Sequence, residues 1–171
     1  MRGLFGGIAA AVAALLSGCD NPTKITQVDR LPAFGRSWIV AVGGGGVPTV
    51  VHGTPFESWS AEDVAARLRF THTLSGVRFR AVAPEDASGN RLLLLFNPER
   101  FPAYAKACRG ALPRMGPPRD RGFEVQAVFC AGDRWIATGY LEAYDVTAEA
   151  PDKFAQAMSQ LFARIAPADL R

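Results

Sequence analysis

Residues 91–96 carry the feature that most restricts how this chain can fold. Four successive leucines, Leu92–Leu95, lie there between Arg91 and Phe96. A run this apolar favours a central β-strand that is covered on both faces. A short buried helix has the same composition, so periodicity alone does not separate the two. We predict a central strand, with the buried helix as the alternative.

Three β-hairpins are predicted from apolar runs that are bounded by turn-forming residues. Their strands are 38–42 with 47–51, 77–82 with 91–96, and 123–130 with 134–142. The third hairpin is the most clearly marked, because apolar residues alternate along its first strand and Gly132 lies in its turn. The first hairpin is joined by the glycine run 43–46. That run is not a phosphate-binding loop, because Val47 and Pro48 follow it in place of Lys and Ser or Thr.

Three helices are predicted. The first covers 61–70, because Ser60 is a good N-cap and Asp63 occupies the capping-box position. The second is a short helix within 101–108, and the third lies between Pro151 and Pro167. The third has one apolar stripe, formed by Phe154, Met158, Leu161, Phe162 and Ile165.

These elements predict an α+β fold: a mainly antiparallel sheet of about six strands, with two longer helices and one short helix packed on it. The alternative is a small mixed sheet in which some neighbouring strands run parallel. The full chain has 171 residues, which suits a single domain after an N-terminal segment.

The N-terminus has the layout of an export signal. Arg2 is followed by an apolar run, Leu4–Leu16, and then by the small residues Ser17 and Gly18. The run of roughly 13 residues is shorter than the about 20 that a membrane-spanning helix needs.

Leu16-Ser17-Gly18-Cys19 resembles the lipobox of bacterial lipoprotein precursors. The resemblance implies that a peptidase cuts before Cys19, whose sulfur carries diacylglycerol and whose new amine is acylated, typically with palmitate. It predicts a signal peptide over 1–18, a lipidated cysteine and irregular tether over 19–35, and a single α+β periplasmic domain over 36–171. The alternatives are cleavage at an alanine-type site and an uncut N-terminal anchor.

The resemblance also implies a location. The chain is expected in the bacterial cell envelope, with its domain in the periplasm and the membrane as a partner through the lipid on Cys19. Asp20 resembles a retention signal of enterobacterial lipoproteins, which slightly favours the inner membrane.

Two cysteines remain once Cys19 is lipidated. In an oxidising periplasm, Cys108 and Cys130 are most simply interpreted as a disulfide pair. The alternative is two free buried thiols, because a sequence does not test the geometry of a bond.

Signatures of catalysis are sparse in the sequence. Common hydrolase and metalloprotease motifs are missing, which favours a protein that is not an enzyme without excluding one. His52 and His72 are candidates for a metal or acid–base site, but their spacing favours strand-end or surface positions. We therefore expect no metal and no cofactor. The net charge of +3 is too small to indicate a nucleic-acid partner.

Four arginines and several prolines form a basic stretch between the two cysteines. The arginines are Arg109, Arg114, Arg119 and Arg121. Close to a bilayer, such a stretch is a candidate contact for anionic headgroups or an acidic partner. An ordinary solvated loop is the favoured alternative.

The leading functional hypothesis is a non-catalytic, membrane-tethered envelope protein that binds another protein or supports an assembly. The second hypothesis is a periplasmic domain that binds a small molecule or lipid between sheet and helices. The third is a hydrolase of an unrecognised type.

Overall fold

The computed structural model describes residues 23–35, 38, 44–70, 76–100 and 104–166. Its strands are β1 Thr23–Arg30, β2 Val47–His52, β3 Phe79–Ala81, β4 Asn90–Phe96, β5 Phe123–Ala131 and β6 Arg134–Ala143. Its helices are α1 Ala61–Arg67, α2 Tyr104–Ala107 and α3 Pro151–Ile165, with a 3-10 turn at Pro84–Asp86. The predicted α+β class is confirmed.

The six strands form a mixed sheet in the order β1-β6-β5-β4-β2-β3. The pairings β1–β6, β6–β5 and β5–β4 are antiparallel. The pairings β4–β2 and β2–β3 are parallel. The sheet is therefore the mixed arrangement that the sequence left open as the alternative.

Two of the three predicted hairpins are wrong. Both edges of β2 are occupied by parallel partners, β4 and β3, so no edge is left for a hairpin partner from 38–42. Trp38 itself is helical and buried, and residues 39–43 lie outside the described part. The predicted pairing of 77–82 with 91–96 fails for the same reason, because β2 lies between β3 and β4.

The third hairpin and the final helix are confirmed. β5 and β6 pair antiparallel through Gly132 and Asp133, with Gly132 at a φ of 58°, as the first central residue of a type II′ turn requires. α3 buries its whole predicted stripe against the sheet. In α1, the Ser60 side chain accepts from Asp63 N and Asp63 accepts from Ser60 N, which is the predicted capping box.

The central leucine strand is confirmed, and it is buried on both faces. Leu92, Leu94 and Phe96 join the core beneath α1 and α3, which we call the first face of the sheet. Leu93 and Leu95 join a smaller cluster on the second face. No helix formed by the described residues is long and apolar enough to cross a bilayer.

The expected irregular tether over 19–35 is wrong for Thr23–Arg30, which form the edge strand β1. Thr26 pairs with Tyr140 of β6, and Thr23 donates a hydrogen bond to Gln160 of α3 at 2.7 Å. The Arg30 guanidinium donates to the carbonyls that end α3. The sequence did not predict β1, because most of its side chains are partly or fully exposed. It therefore lacks the alternation of apolar and polar residues that marks a half-buried strand.

Gly122 provides a test of the packing at the start of β5. Its φ is +76°, and a Cβ added there would lie 2.5 Å from the carbonyl oxygen of Ala143. We expect Gly122→Ala to lower the free energy of unfolding by about 3 kcal/mol, since backbone strain and a clash add together. Denaturant unfolding measures the loss.

Gly89 is the matched control for that substitution. Its φ of +71° is similar, but no atom lies within 4 Å of the added Cβ. Gly89→Ala should cost only about 1 kcal/mol. Equal losses at the two positions would contradict the packing described for Gly122.

Candidate functional site

The predicted disulfide is confirmed. The sulfurs of Cys108 and Cys130 lie 2.01 Å apart, with their Cα atoms separated by 5.7 Å. Cys108 directly follows α2, and Cys130 lies near the end of β5. Both residues are buried on the second face. The bond therefore fixes the short helix to the sheet, as the sequence predicted.

Arg91 strengthens the same attachment through its buried guanidinium. It donates to the carbonyl of Cys108 at 2.6 Å, and to those of Gly89 and Gly132 at 2.9 and 3.1 Å. No carboxylate among the described residues forms an ion pair with it. Since an unsatisfied buried charge is costly, these three carbonyls hold the side chain in place.

Residues 104–121, which we call the covering segment, close over the apolar half of the second face. Tyr104, Ala107, Leu112 and Met115 pack there against the cluster around Leu93 and Leu95. The segment is fastened at its middle by His52, at the end of β2, whose Nε2–H donates to the Pro113 carbonyl at 2.9 Å. His52 thus lies at a strand end, as the sequence favoured. Its hydrogen bond attaches the covering segment to β2.

The four arginines of the covering segment do not form one basic cluster. Arg119 forms an ion pair with Glu124, and Arg121 forms one with Asp145. Arg114 is exposed, and its carbonyl accepts from Glu99 N. Two of the four charges are therefore neutralised within the domain.

Arg109 lies at the disulfide end of the segment, apart from the other three. It lines an open groove of about 330 Å³ together with Leu31, Ala105, Asp133, Arg134 and Trp135. The groove has an aromatic wall, because Trp135 packs edge-on against Tyr104 at 5.0 Å. Contact of the four arginines with headgroups or a partner stays a prediction.

The other half of the second face carries a polar patch that the sequence did not indicate. Its members are Lys24, Arg119, Glu124, Tyr140, Glu142 and Tyr144. Glu124 and Glu142 are directly opposite each other on β5 and β6. Like charges in that arrangement destabilise a sheet. Each carboxylate therefore needs a cation or a hydrogen-bond donor beside it. Arg119 and Tyr140 compensate Glu124, whereas Lys24 and Tyr144 compensate Glu142.

Three side chains of the patch have shifted pKa values. The pKa of the acid Glu142 is lowered, and the pKa values of the phenols Tyr140 and Tyr144 are raised. The hydrogen bond from Tyr144, followed by the ion pair with Lys24, lowers the pKa of Glu142. Burial and the bond to Glu124 raise the pKa of Tyr140, and the bond to Glu142 raises that of Tyr144. These side chains therefore keep fixed charge states near pH 7.

Beside the patch, Gln126 is a buried polar residue with an incomplete set of hydrogen bonds. Its Nε2 donates to Thr138 Oγ1 at 2.5 Å, while its Oε1 has no partner among the described residues. Sequence reasoning named only Arg119 of this patch, because the members come from three strands and the covering segment. The alternation of polar residues at Glu124 and Gln126 of β5, and at Thr138, Tyr140 and Glu142 of β6, was the available signal.

Other predicted site residues lie outside the described part of the chain. Cys19 and His72 are among them. Within the described ranges, no group of three His, Cys, Asp or Glu residues is placed to hold a metal ion. No family model, curated protein or solved structure matches this chain.

The disulfide should contribute measurably to stability. Replacing both Cys108 and Cys130 with alanine should lower the free energy of unfolding by about 3 kcal/mol, because it releases a loop closed over 22 residues. Urea unfolding of the oxidised protein, the reduced protein and the double variant measures this. The reduced protein and the variant should agree, and a variant as stable as the oxidised protein would contradict the role of the bond.

Glu142 should make stability depend on pH in the acid range. Its pKa is lower in the folded state, so its stabilisation is present above about pH 4.3 and is lost as the pH falls through the folded value. Glu142→Gln should cost about 0.5 kcal/mol at pH 7 and progressively less below pH 4 or so. Unfolding titrations compare it with Glu57→Gln, since Glu57 is exposed and forms no ion pair with a described residue. A cost that stays constant with pH would argue against this assignment.

Proposed function

We propose that this chain is a bacterial lipoprotein. Its folded domain is held at the membrane surface by lipid on Cys19 and acts there as a non-catalytic binding or assembly-support module. One observation carries the proposal: β1 begins at Thr23, four residues after the lipobox cysteine. Four extended residues span at most about 14 Å. Lipid on Cys19 therefore brings the first edge of the sheet close to the bilayer.

The surface at that end of the sheet suits a membrane boundary. Thr23 pairs with Ala143, which pairs on its other side with Phe123, so β1 begins beside the end of β6 and the start of β5. Tyr144 follows directly after Ala143. Among the described residues, it is the large hydrophobic side chain that is exposed to solvent, at 53%. An exposed aromatic ring with a polar tip is favoured where an apolar phase meets water.

The disulfide supports the same compartment independently of the lipobox. Disulfides persist in the periplasm and outside cells, and they are rare in the reducing cytoplasm. The bond between Cys108 and Cys130 lies in the cover of the second face, where the fold depends on it. An exported location is thus favoured by two unrelated features.

The chemistry of the described surface favours binding over catalysis. In the polar patch, the partners of Glu142 lower the pKa of its carboxyl, and the pKa values of the Tyr140 and Tyr144 phenols are raised. A general acid or base works best when its pKa lies near the operating pH. Fixed charges and open grooves are instead what a protein partner recognises through complementary charge.

Lipidation is tested by the intact mass of protein extracted from its native membrane. We expect a chain that begins at Cys19 and carries diacylglycerol, usually with a further acyl group, because two or more chains give stable anchoring. Cys19→Ala should abolish the added lipid mass. A mature wild-type chain without lipid mass would contradict the proposal, and fractionation of the same cells tests the inner-membrane location suggested by Asp20.

A further inference from the structure

The outer edge of β3 is an open strand edge at the far side of the sheet from β1. β3 binds β2 through alternate residues, since Val47 N donates to Arg78 O and Val82 N donates to Thr49 O. In a parallel ladder the intervening residues point their N–H and C=O groups the other way. Phe79 and Ala81 therefore present backbone donors and acceptors outwards, and no strand of the described residues pairs with them.

Unpaired arginines surround this edge. Arg78 and Arg80 are exposed and make no ion pair with any described residue. The guanidinium of Arg69, just after α1, donates to the backbone carbonyls of Ala66 and Leu68 and to no carboxylate of the described residues. Elsewhere Arg67, Arg119, Arg121, Lys24 and Lys153 all have carboxylate partners. Three arginines that form no ion pair with a described residue therefore lie beside β3.

A groove of about 560 Å³ runs between α1 and this edge. Its walls include Ala65 and Ala66 of α1, and Arg69, Gly76 and Phe79. The alanines leave room for side chains of moderate size next to the strand. The open backbone edge, the groove and the arginines are therefore contiguous.

We propose that the β3 edge binds an extended acidic segment of a partner protein, which adds to the sheet as a seventh strand. Side chains two residues apart on a strand share a face and are separated by about 6.8 Å. Arg78 and Arg80 have this spacing, and an extended segment with carboxylates at alternate positions repeats it. The intervening side chains of the segment face the groove against α1.

The positive charge of the arginines makes this open edge selective for partners that carry negative charge. Arginines on an edge strand discourage pairing with strands that bring no negative charge, including a second copy of β3. Main-chain hydrogen bonds then provide affinity, and the alternating carboxylates provide specificity. The inference rests on the proposed binding function, but it does not depend on the lipid anchor.

The test uses the full chain in detergent and a synthetic peptide in which glutamate alternates with valine. The control peptide has the same composition with its glutamates grouped together. We expect the alternating peptide to bind at least about tenfold more tightly, and the double variant Arg78→Gln, Arg80→Gln to lose about tenfold in affinity. Arg100→Gln should bind normally, because this exposed arginine, which forms no ion pair with a described residue, follows the end of β4, whereas β3 lies level with the start of β4.

The backbone part of the proposal has its own measurement. Hydrogen exchange should show the amides of Phe79 and Ala81 protected when the alternating peptide is bound. Ala81→Pro, which removes only an outward N–H, should weaken binding while thermal unfolding confirms that the variant folds. Equal binding of both peptides, full competition by inorganic phosphate, or unprotected amides would overturn the proposal.

Failure of this inference is distinguishable from failure of the proposed function. Cross-linking in intact cells compares wild type with the Arg78→Gln, Arg80→Gln variant. A partner captured equally by both would overturn docking at β3 and leave the binding function standing. No partner with wild type would count against both.

Discussion

β4 is buried on both of its faces, so two different parts of the domain must pack on it, one on each face. Leu92 and Leu94 face the helices, while Leu93 and Leu95 face the covering segment. Truncating a buried leucine to alanine typically costs about 2–5 kcal/mol, so neither face is dispensable. The helical cover follows from ordinary amphipathic sequence, as the stripe of α3 illustrates.

The second cover has to be held by other means. Its helix α2 has only four residues, and the rest of the segment is irregular. The disulfide, the Arg91 guanidinium and the His52 ring attach it to β5, β4 and β2 in turn. One of these three attachments is a disulfide, a bond that is typical of oxidising compartments.

The sequence predicted the elements that are determined locally. The β5–β6 hairpin has its alternation and its turn glycine within a single stretch, and the capping box of α1 lies within four residues. The order of the strands was beyond reach, because insertion of β2 between β3 and β4 is a long-range arrangement. The ion pairs of Arg119 and Arg121 also depend on residues from other strands and loops. In the candidate site, only the disulfide and its attachment of α2 to the sheet could therefore be predicted from the sequence.

The two edges of the sheet have different proposed roles. β1 begins four residues after Cys19, so the proposed lipid anchor would hold the domain at this edge. β3 lies at the opposite edge, beside arginines that form no ion pair with a described residue. The anchoring role requires export. The direct test is to quench intact cells with acid, denature the protein without a reductant in the presence of an alkylating reagent, and count labels on Cys108 and Cys130 by mass spectrometry. The account predicts no label on either cysteine until a reductant is added. Two labels before reduction would contradict it.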